Sequence, residues 1–290
     1  MLVACIFIAG TTLIAKTLGN SDVLGEGVES LSPFMVSAAR FVFAVGVWII
    51  AWKVSGRRLE SPNYSLHFKR TVMGWLTVTL IFAASAKMIL ADATAISFLN
   101  PLIAMVLAIF MLGEKVGPIR WFAAATMIIG AIVLIQPGEE AFQIAALLAL
   151  GAACTGGLEV IFIKRLTNRE PILQVLLINN LMGLGLAVIP LAFIWSTPTA
   201  AQWVLLVSVG LCMATAQLFF LTAIKNAQTS FVMPFMYATL VFAALMDFVV
   251  FGALPTTLGV VGALIIIAGA ITLAWREGLA QRRKDCQSTK

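Results

Sequence analysis

Apolar residues run along this chain in long unbroken blocks, not in alternation with polar ones. Ten such stretches stand out, at about 1–18, 32–53, 71–90, 93–113, 119–136, 143–163, 172–195, 201–222, 228–251 and 256–275. Roughly 20 apolar residues of helix cross the hydrocarbon core of a bilayer, so each block has about the length of one crossing. The short alternating segments of a membrane barrel are not the pattern here. Turn-forming pairs separate the blocks: Ser32-Pro33, Gly113-Glu114, Pro137-Gly138, Glu170-Pro171, Thr197-Pro198 and Leu254-Pro255. The pattern predicts an all-α integral membrane protein with ten transmembrane helices joined by short loops. The first block lacks the basic head and the A-x-A-like cleavage site of a secretory leader, so it reads as the first crossing. A crossing that begins at Met1 itself suggests a natural start further upstream.

Composition agrees with that solvent. The 290 residues are 61% hydrophobic and 11% charged, with a mean hydropathy of +1.02. A soluble domain carries about 25% charged residues, and this chain has too little polar surface to coat a globule in water. In lipid the backbone groups must be satisfied inside helices. A net charge of +6 could suggest a nucleic-acid partner, but the basic residues sit in short loops and not on one soluble face, which excludes it. With the N-terminus in the cytoplasm, 16 of the 19 Lys and Arg residues fall in cytoplasmic loops and the C-terminal tail. The opposite loops hold acids: Asp22, Glu26, Glu29, Glu139 and Glu140. Lys16, Arg40 and Lys87 alone depart, each toward the outer half of a crossing. By the positive-inside rule both termini are expected in the cytoplasm; the membrane is expected to be an inner, bacterial-type one.

A shift of 139 residues aligns Ala84–Ile135 with Ala223–Ala274 without a gap. Gly113 falls on Gly252, Gly130 on Gly269, and IIGAIVL (128–134) on IAGAITL (267–273). Five helices per half is an odd number, so the second half lies inverted. The expected organisation is a first repeat over 1–138, a second over 139–276, and a cytoplasmic tail over 277–290. Inverted repeats are a construction of secondary transporters, which hold substrate near the midplane between the repeats.

The stretch ADATAISFLNPLIAMVLAIFMLGEKVGPIRWFAAATMIIGAIVLIQPG (91–138) resembles the end of an EamA domain, the building block of the drug/metabolite transporter superfamily. SPFMVSAARFVFA (32–44), with Arg40-Phe41, resembles the second helix of that domain, and MPFMYATLVFAALMDFVVFGALPTTLGVVGALIIIAGAITL (233–273) the end of a second copy. The resemblance implies ten helices in two such domains, with a central cavity built from helices 1–4 and 6–9. It is similar to the branch that includes S-adenosylmethionine and riboflavin carriers. One departure stands out: Gly113-Glu114 follows the family pattern, while the second half has Gly252-Ala253.

Candidate chemistry narrows to polar residues at membrane depth. No GxxxxGK[ST], HExxH, CxxC or GxSxG motif occurs, and His67 is the only histidine; ATP hydrolysis, a metal centre and a cofactor site are not expected. The cysteines Cys5, Cys154, Cys212 and Cys286 read as scattered small hydrophobes. A membrane-embedded enzyme would need a catalytic set converging at one depth, and a non-transporting scaffold would not need polar faces at symmetric positions. Asn100-Pro101 lies mid-helix, and Asn100, Ala104 and Ala108 share one face. The repeat places Thr239, Ala243 and Asp247 on the equivalent face, near Pro234 and Tyr237. Two readings stand: cavity walls that meet substrate, or close packing through small residues. Asn179, Asn180 and Gln217 are further substrate-binding candidates, with interhelical hydrogen bonding as the alternative. Glu159 and Asp247 are candidates for proton coupling; Glu159 could equally pair with Lys164 or Arg165 at the headgroups. Arg40 sits about 12 Å inside its helix and needs an acid such as Asp92 or Asp247, or an anionic substrate group. Trp75, Trp121, Trp203 and Trp275 read as an interfacial belt. Gly130, Gly262 and Gly269 on helices 5 and 10 suit packing against neighbours or, in a homodimer, a second protomer.

Overall fold

The computed structural model describes residues 1–19, 30–56, 60–85, 96–136, 146–191, 193, 195–252 and 256–288. Among them run ten helices of thirteen residues or more and no strand. They are α1 (Leu2–Leu18), α2 (Pro33–Ser55), α3 (Tyr64–Ser85), α4 (Asn100–Leu112), α5 (Pro118–Ile135), α6 (Ala146–Thr167), α7 (Ile172–Leu191), α8 (Ala200–Asn226), α9 (Ala238–Phe251) and α10 (Thr257–Ser288). Six described helical stretches are long and apolar enough to cross a membrane: Phe34–Ser55, Ala146–Thr167, Ile172–Ile189, Ala200–Asn226, Thr229–Phe251 and Thr257–Arg276. Leu2–Leu18, Asn100–Leu112 and Pro118–Leu134 are shorter apolar helices.

Four elements differ from the hydropathy pattern, each for a local reason. Helix α4 starts at Asn100, after a turn at Phe98 and Leu99 inside the 93–113 block. Asn100-Pro101 therefore stands not mid-helix but in a first helical turn, where proline's missing N–H costs nothing. Helix α3 begins at Tyr64, about two turns before the apolar run. Asn63 caps it, its Oδ1 accepting the Leu66 N–H at 3.1 Å, and side-chain partners satisfy its polar first turns. The ninth crossing is broken into a single turn at Thr229–Val232, a 3-10 segment at Met233–Tyr237, and α9. Pro234 removes one backbone donor there, and the tighter 3-10 bonding takes over. Helix α10 runs on through Ser288, because REGLAQRRKDCQS is rich in Arg, Lys, Gln, Glu and Leu, all strong helix formers.

The chain forms two compact units, and each draws on both sequence halves. The first comprises Met1–Trp75, Phe162–Asn226 and Phe242–Ala253. In it α8 packs against α1 and α2, and α2 against α7, around Leu18, Leu31, Met35, Val36, Leu206 and Val209. The second comprises Leu76–Ile161, Ala227–Val241 and Leu254–Lys290, and its main helix pair is α5 with α10.

That pair carries the inverted repeat in its contacts. A Cβ on Gly130 would stand 2.9 Å from Gly262 O and from Ile266; one on Gly269 would stand 2.8 Å from Met127 and 3.4 Å from Ala123 O. Adding 139 turns Gly130 into Gly269, Met127 into Ile266 and Ala123 into Gly262. Each contact therefore recurs as its own counterpart, which is the signature of a two-fold axis. The numbers rise along one helix as they fall along the other, so the pair is antiparallel, as an inverted second half requires. The small residues of α5 and α10 are thus used within the chain. Gly113 and Gly252, also related by the shift, end α4 and α9 with φ of 67° and 64°, a left-handed conformation that glycine adopts without steric cost.

Candidate functional site

In the second unit, the candidates gather where the backbone is irregular. Phe98 and Leu99 form a turn before α4, and the matching stretch of the second half is the 3-10 segment that ends at Tyr237. The Tyr237 hydroxyl donates to the Phe98 carbonyl at 2.8 Å, and the two rings lie 6.2 Å apart at 38°. Tyr237 is the counterpart of Phe98 under the 139-residue shift. A residue bonded to its own counterpart lies on the pseudo-two-fold axis, so the axis passes through this turn.

Two residues further along each copy stand Asn100 and Thr239, again counterparts. Thr239 is buried and Asn100 half-buried. The Oδ1 of Asn100 and the Oγ1 of Thr239 are both shielded from solvent and find no hydrogen-bond partner among the described residues. Buried polar atoms normally find partners, and an unpaired one costs about 1–3 kcal/mol. Gly156 makes room for Asn100, since a Cβ there would collide with its amide, and Gly157 lets α6 approach Ile103 and Ala104. Ala104 and Ala108 are fully buried, so the small residues below Asn100 serve packing. Thr77 on α3 and Thr155 on α6 bond at 2.8 Å, and Glu159 is half-buried on α6.

Glu114 has a structural assignment that the sequence did not supply. Its carboxylate accepts the N–H groups of Thr229 at 2.7 Å and Ser230 at 2.8 Å. These are free donors at the start of the ninth crossing, and a carboxylate there also meets the positive end of the helix dipole. Arg120 adds hydrogen bonds to Gln228 and Ser230.

In the first unit, Asn180 is fully buried. Its Nδ2 donates to Gln217 Oε1 and to Leu176 O, both at 2.8 Å, while its Oδ1 has no partner among the described residues. Asn179 Oδ1 accepts from Thr71 at 3.4 Å. The Arg40 guanidinium lies over the Phe41 ring, 4.5 Å from its centre. Asp247 pairs with Lys16 at 2.8 Å, and Lys16 also lies 4.8 Å from the Phe251 ring centre. Lys87 and Asp92 fall outside the described residues.

Sequence reasoning missed a buried polar cluster where α3 meets α7. The Glu170 carboxylate accepts from Asn63 N–H at 2.9 Å, from His67 Nε2 at 2.8 Å and from Gln174 Nε2 at 2.8 Å. Gln174 Oε1 in turn accepts the Glu60 N–H at 2.9 Å, and Arg70 donates to Val175 O. His67, Arg70, Glu170 and Gln174 are all buried. Burial pushes the Glu170 carboxyl up, but the donors outweigh it and hold it below its ordinary range. Burial depresses His67 against the upward pull of Glu170, and Arg70 adds to the depression. His67 is therefore the neutral imidazole, with its proton on Nε2. No sequence signal could have found the cluster, because a lone His, a loop Glu and a helical Gln are unremarkable until folding joins them.

A family profile described as the EamA-like transporter family matches residues 1–136 and again 143–275. The chain is 27% identical to a riboflavin transporter of Vibrio cholerae serotype O1, covering 95% of this chain and 94% of the relative. It is 25% identical to an S-adenosylmethionine uptake transporter of Rickettsia felis, covering 91% and 90%. A solved crystal structure of a protein with 20% identity superposes with a TM-score of 0.76 over 94% of this chain and 96% of its own, which establishes the same fold.

Proposed function

Because the chain belongs to the EamA-like transporter family, we propose that this secondary transporter moves a small, polar organic metabolite across the inner membrane by alternating access, holding it against Asn100 and Thr239. The observation that carries the reading is the pair of buried oxygens, unpartnered among the described residues, at equivalent positions beside the pseudo-two-fold axis. A substrate that donates to Asn100 Oδ1 and exchanges a hydrogen bond with the Thr239 hydroxyl would satisfy both. Inverted-repeat transporters place substrate at breaks in helices near the midplane, and the turn at Phe98 and the 3-10 segment at Met233–Tyr237 are such breaks. Tyr237 holds the two breaks together and is a positioning residue. Within the first unit taken by itself, Asn180, whose Oδ1 has no partner among the described residues, stands with Gln217 and Asn179 as a further group of candidates for binding polar substrate atoms. The repeats over 1–138 and 139–276 supply one half of the machinery each, and both termini face the cytoplasm.

Two experiments test this. Uptake and efflux are measured in vesicles with a metabolite panel that includes riboflavin and S-adenosylmethionine, the substrates in the relatives' names. In a variant lacking the native cysteines, Asn100→Cys and Thr239→Cys should react with small polar thiol reagents and be protected by the transported compound. Gly269→Cys, in the α5–α10 packing, should show no protection. Transport at full rate by a well-folded Asn100→Ala/Thr239→Ala protein would defeat the assignment.

A further inference from the structure

The cluster around His67 holds two titratable groups that the substrate reading leaves unused. It fastens the segment just before α3 to the start of α7: the Glu60 and Asn63 amides both end on α7-side acceptors, Gln174 Oε1 and Glu170. His67 closes the arrangement from α3, and its Nδ1 is buried without a partner among the described residues. Helix α7 continues from this point to Asn179 and Asn180, so whatever holds its first turn also holds those amides. Deepening the proposed function, we propose that His67 and Glu170 form a proton-binding latch: the closed cluster excludes a proton from His67 Nδ1, and protonation from the cytoplasmic side releases residues 60–63 from α7.

Three charged or titratable groups meet in the closed cluster: a neutral imidazole, the Glu170 carboxylate and the buried Arg70 guanidinium. A proton on Nδ1 would add a second buried cation next to Arg70 with no acceptor for the new N–H among the described residues. Exposure removes that penalty, so the open form takes up a proton at the ordinary histidine value of about 6.5. The linkage then has one sign: acid favours the open latch. Beside it, Glu60, Arg169 and Lys225 line a cavity of about 430 Å³ together with Glu170. Lys164 is engaged with the Ile224 carbonyl at 2.6 Å and holds the end of α8.

His67 is the only histidine in the 290-residue sequence, so this 290-residue chain reports on itself. Imidazole-labelled protein in lipid nanodiscs should give one histidine spin system, with the Nε2–H tautomer at pH 7.5 and no titration of the closed form at 6.5. Amide hydrogen exchange at Glu60 and Asn63, corrected for intrinsic rates, should quicken by up to about tenfold between pH 7.5 and 5.5, the factor set by proton uptake below 6.5. His67→Gln, which can still donate to Glu170, should keep the slow exchange and lose its pH dependence. Glu170→Gln should exchange fast at every pH. The proposal fails if His67 titrates at 6.5 with exchange unchanged, or if His67→Gln keeps the acid response. Should His67→Gln not fold, the tautomer and titration of the natural protein decide the matter. No substrate enters these measurements, so they stand or fall apart from the transport assay.

Discussion

Glu114 and Ala253 occupy equivalent positions after equivalent glycines, yet only Glu114 can cap. It accepts two backbone N–H groups at the start of the ninth crossing, a bond type worth roughly 1.5–3 kcal/mol when the acceptor is charged. Glu114→Gln keeps the shape but loses the charge, and its amide NH₂ faces one of the two donors. It should lower the midpoint of thermal unfolding in detergent, with Glu114→Asp falling between Glu114→Gln and the natural protein. The His67–Glu170 pair makes a second residue-scale prediction. Both groups bind protons more weakly folded than unfolded, so stability rises with pH wherever the unfolded chain holds the extra proton. Stability should decline as pH falls below about 6.5, the unfolded histidine value, and again near the unfolded glutamate value of about 4.3. In His67→Gln the first decline should vanish and the second remain. The sequence exposed Asn100 and Asn180 because amides at membrane depth are few, and Thr239 because the 139-residue shift makes it the counterpart of Asn100. It hid Glu170 and Glu114 because a carboxylate in a short loop looks solvated until the partner, 103 or 115 residues away, is known.

At the scale of elements, hydropathy located the ten helices well, because lipid imposes one strong rule on composition. It misjudged those parts of elements whose polar groups are satisfied by specific partners or whose backbone changes winding. The first turns of α3 are the former case and the 3-10 segment Met233–Tyr237 the latter, since a window average cannot register where a helix tightens. Glycines separate into two kinds on the same physical ground. Gly130 and Gly262 stand where a Cβ would press on the backbone of the facing helix, so Gly130→Val or Gly262→Val should force α5 and α10 apart. Overpacking of this kind costs about 1–3 kcal/mol, read as lost folded protein and a lower unfolding midpoint. Gly10 and Gly46 lie in α1 and α2, and a Cβ added to either would meet nothing within 4 Å. Alanine there should stabilise by roughly 0.4–1 kcal/mol by narrowing the unfolded ensemble. Equal effects at all four positions would deny that packing distinguishes them.

For the whole molecule, the same symmetry that appears in α5 and α10 makes a statement about sidedness. On the proposed topology the alternation of helices assigns each loop to one face of the membrane, and the positive-inside rule argues which face is cytoplasmic: that topology puts 16 of the 19 basic residues on one side. The contacts within each unit respect that alternation independently of charge. Lys16 and Asp247 join two helix ends on the proposed outer side, as do Gln136 and Thr256. His67 with Glu170, Lys164 with the end of α8, and Glu114 with Thr229 all join ends on the proposed inner side. None of these bonds ties an inner end to an outer one, as a chain that skipped a crossing would require. Reporter fusions after Glu139 and at the C-terminal tail should therefore report opposite faces, with the tail cytoplasmic. Replacing Arg57, Arg58 and Lys69, three of the basic residues around the start of α3, by glutamine should weaken this orientation, because short loops near the ends of crossings carry the positive-inside signal. Adding lysines beside Glu139 and Glu140 should weaken it further. A tail found outside in the natural protein would overturn the orientation while leaving the helix pairings intact. Both fusions on one face would contradict the odd number of crossings between them, and with it the inversion of the second half.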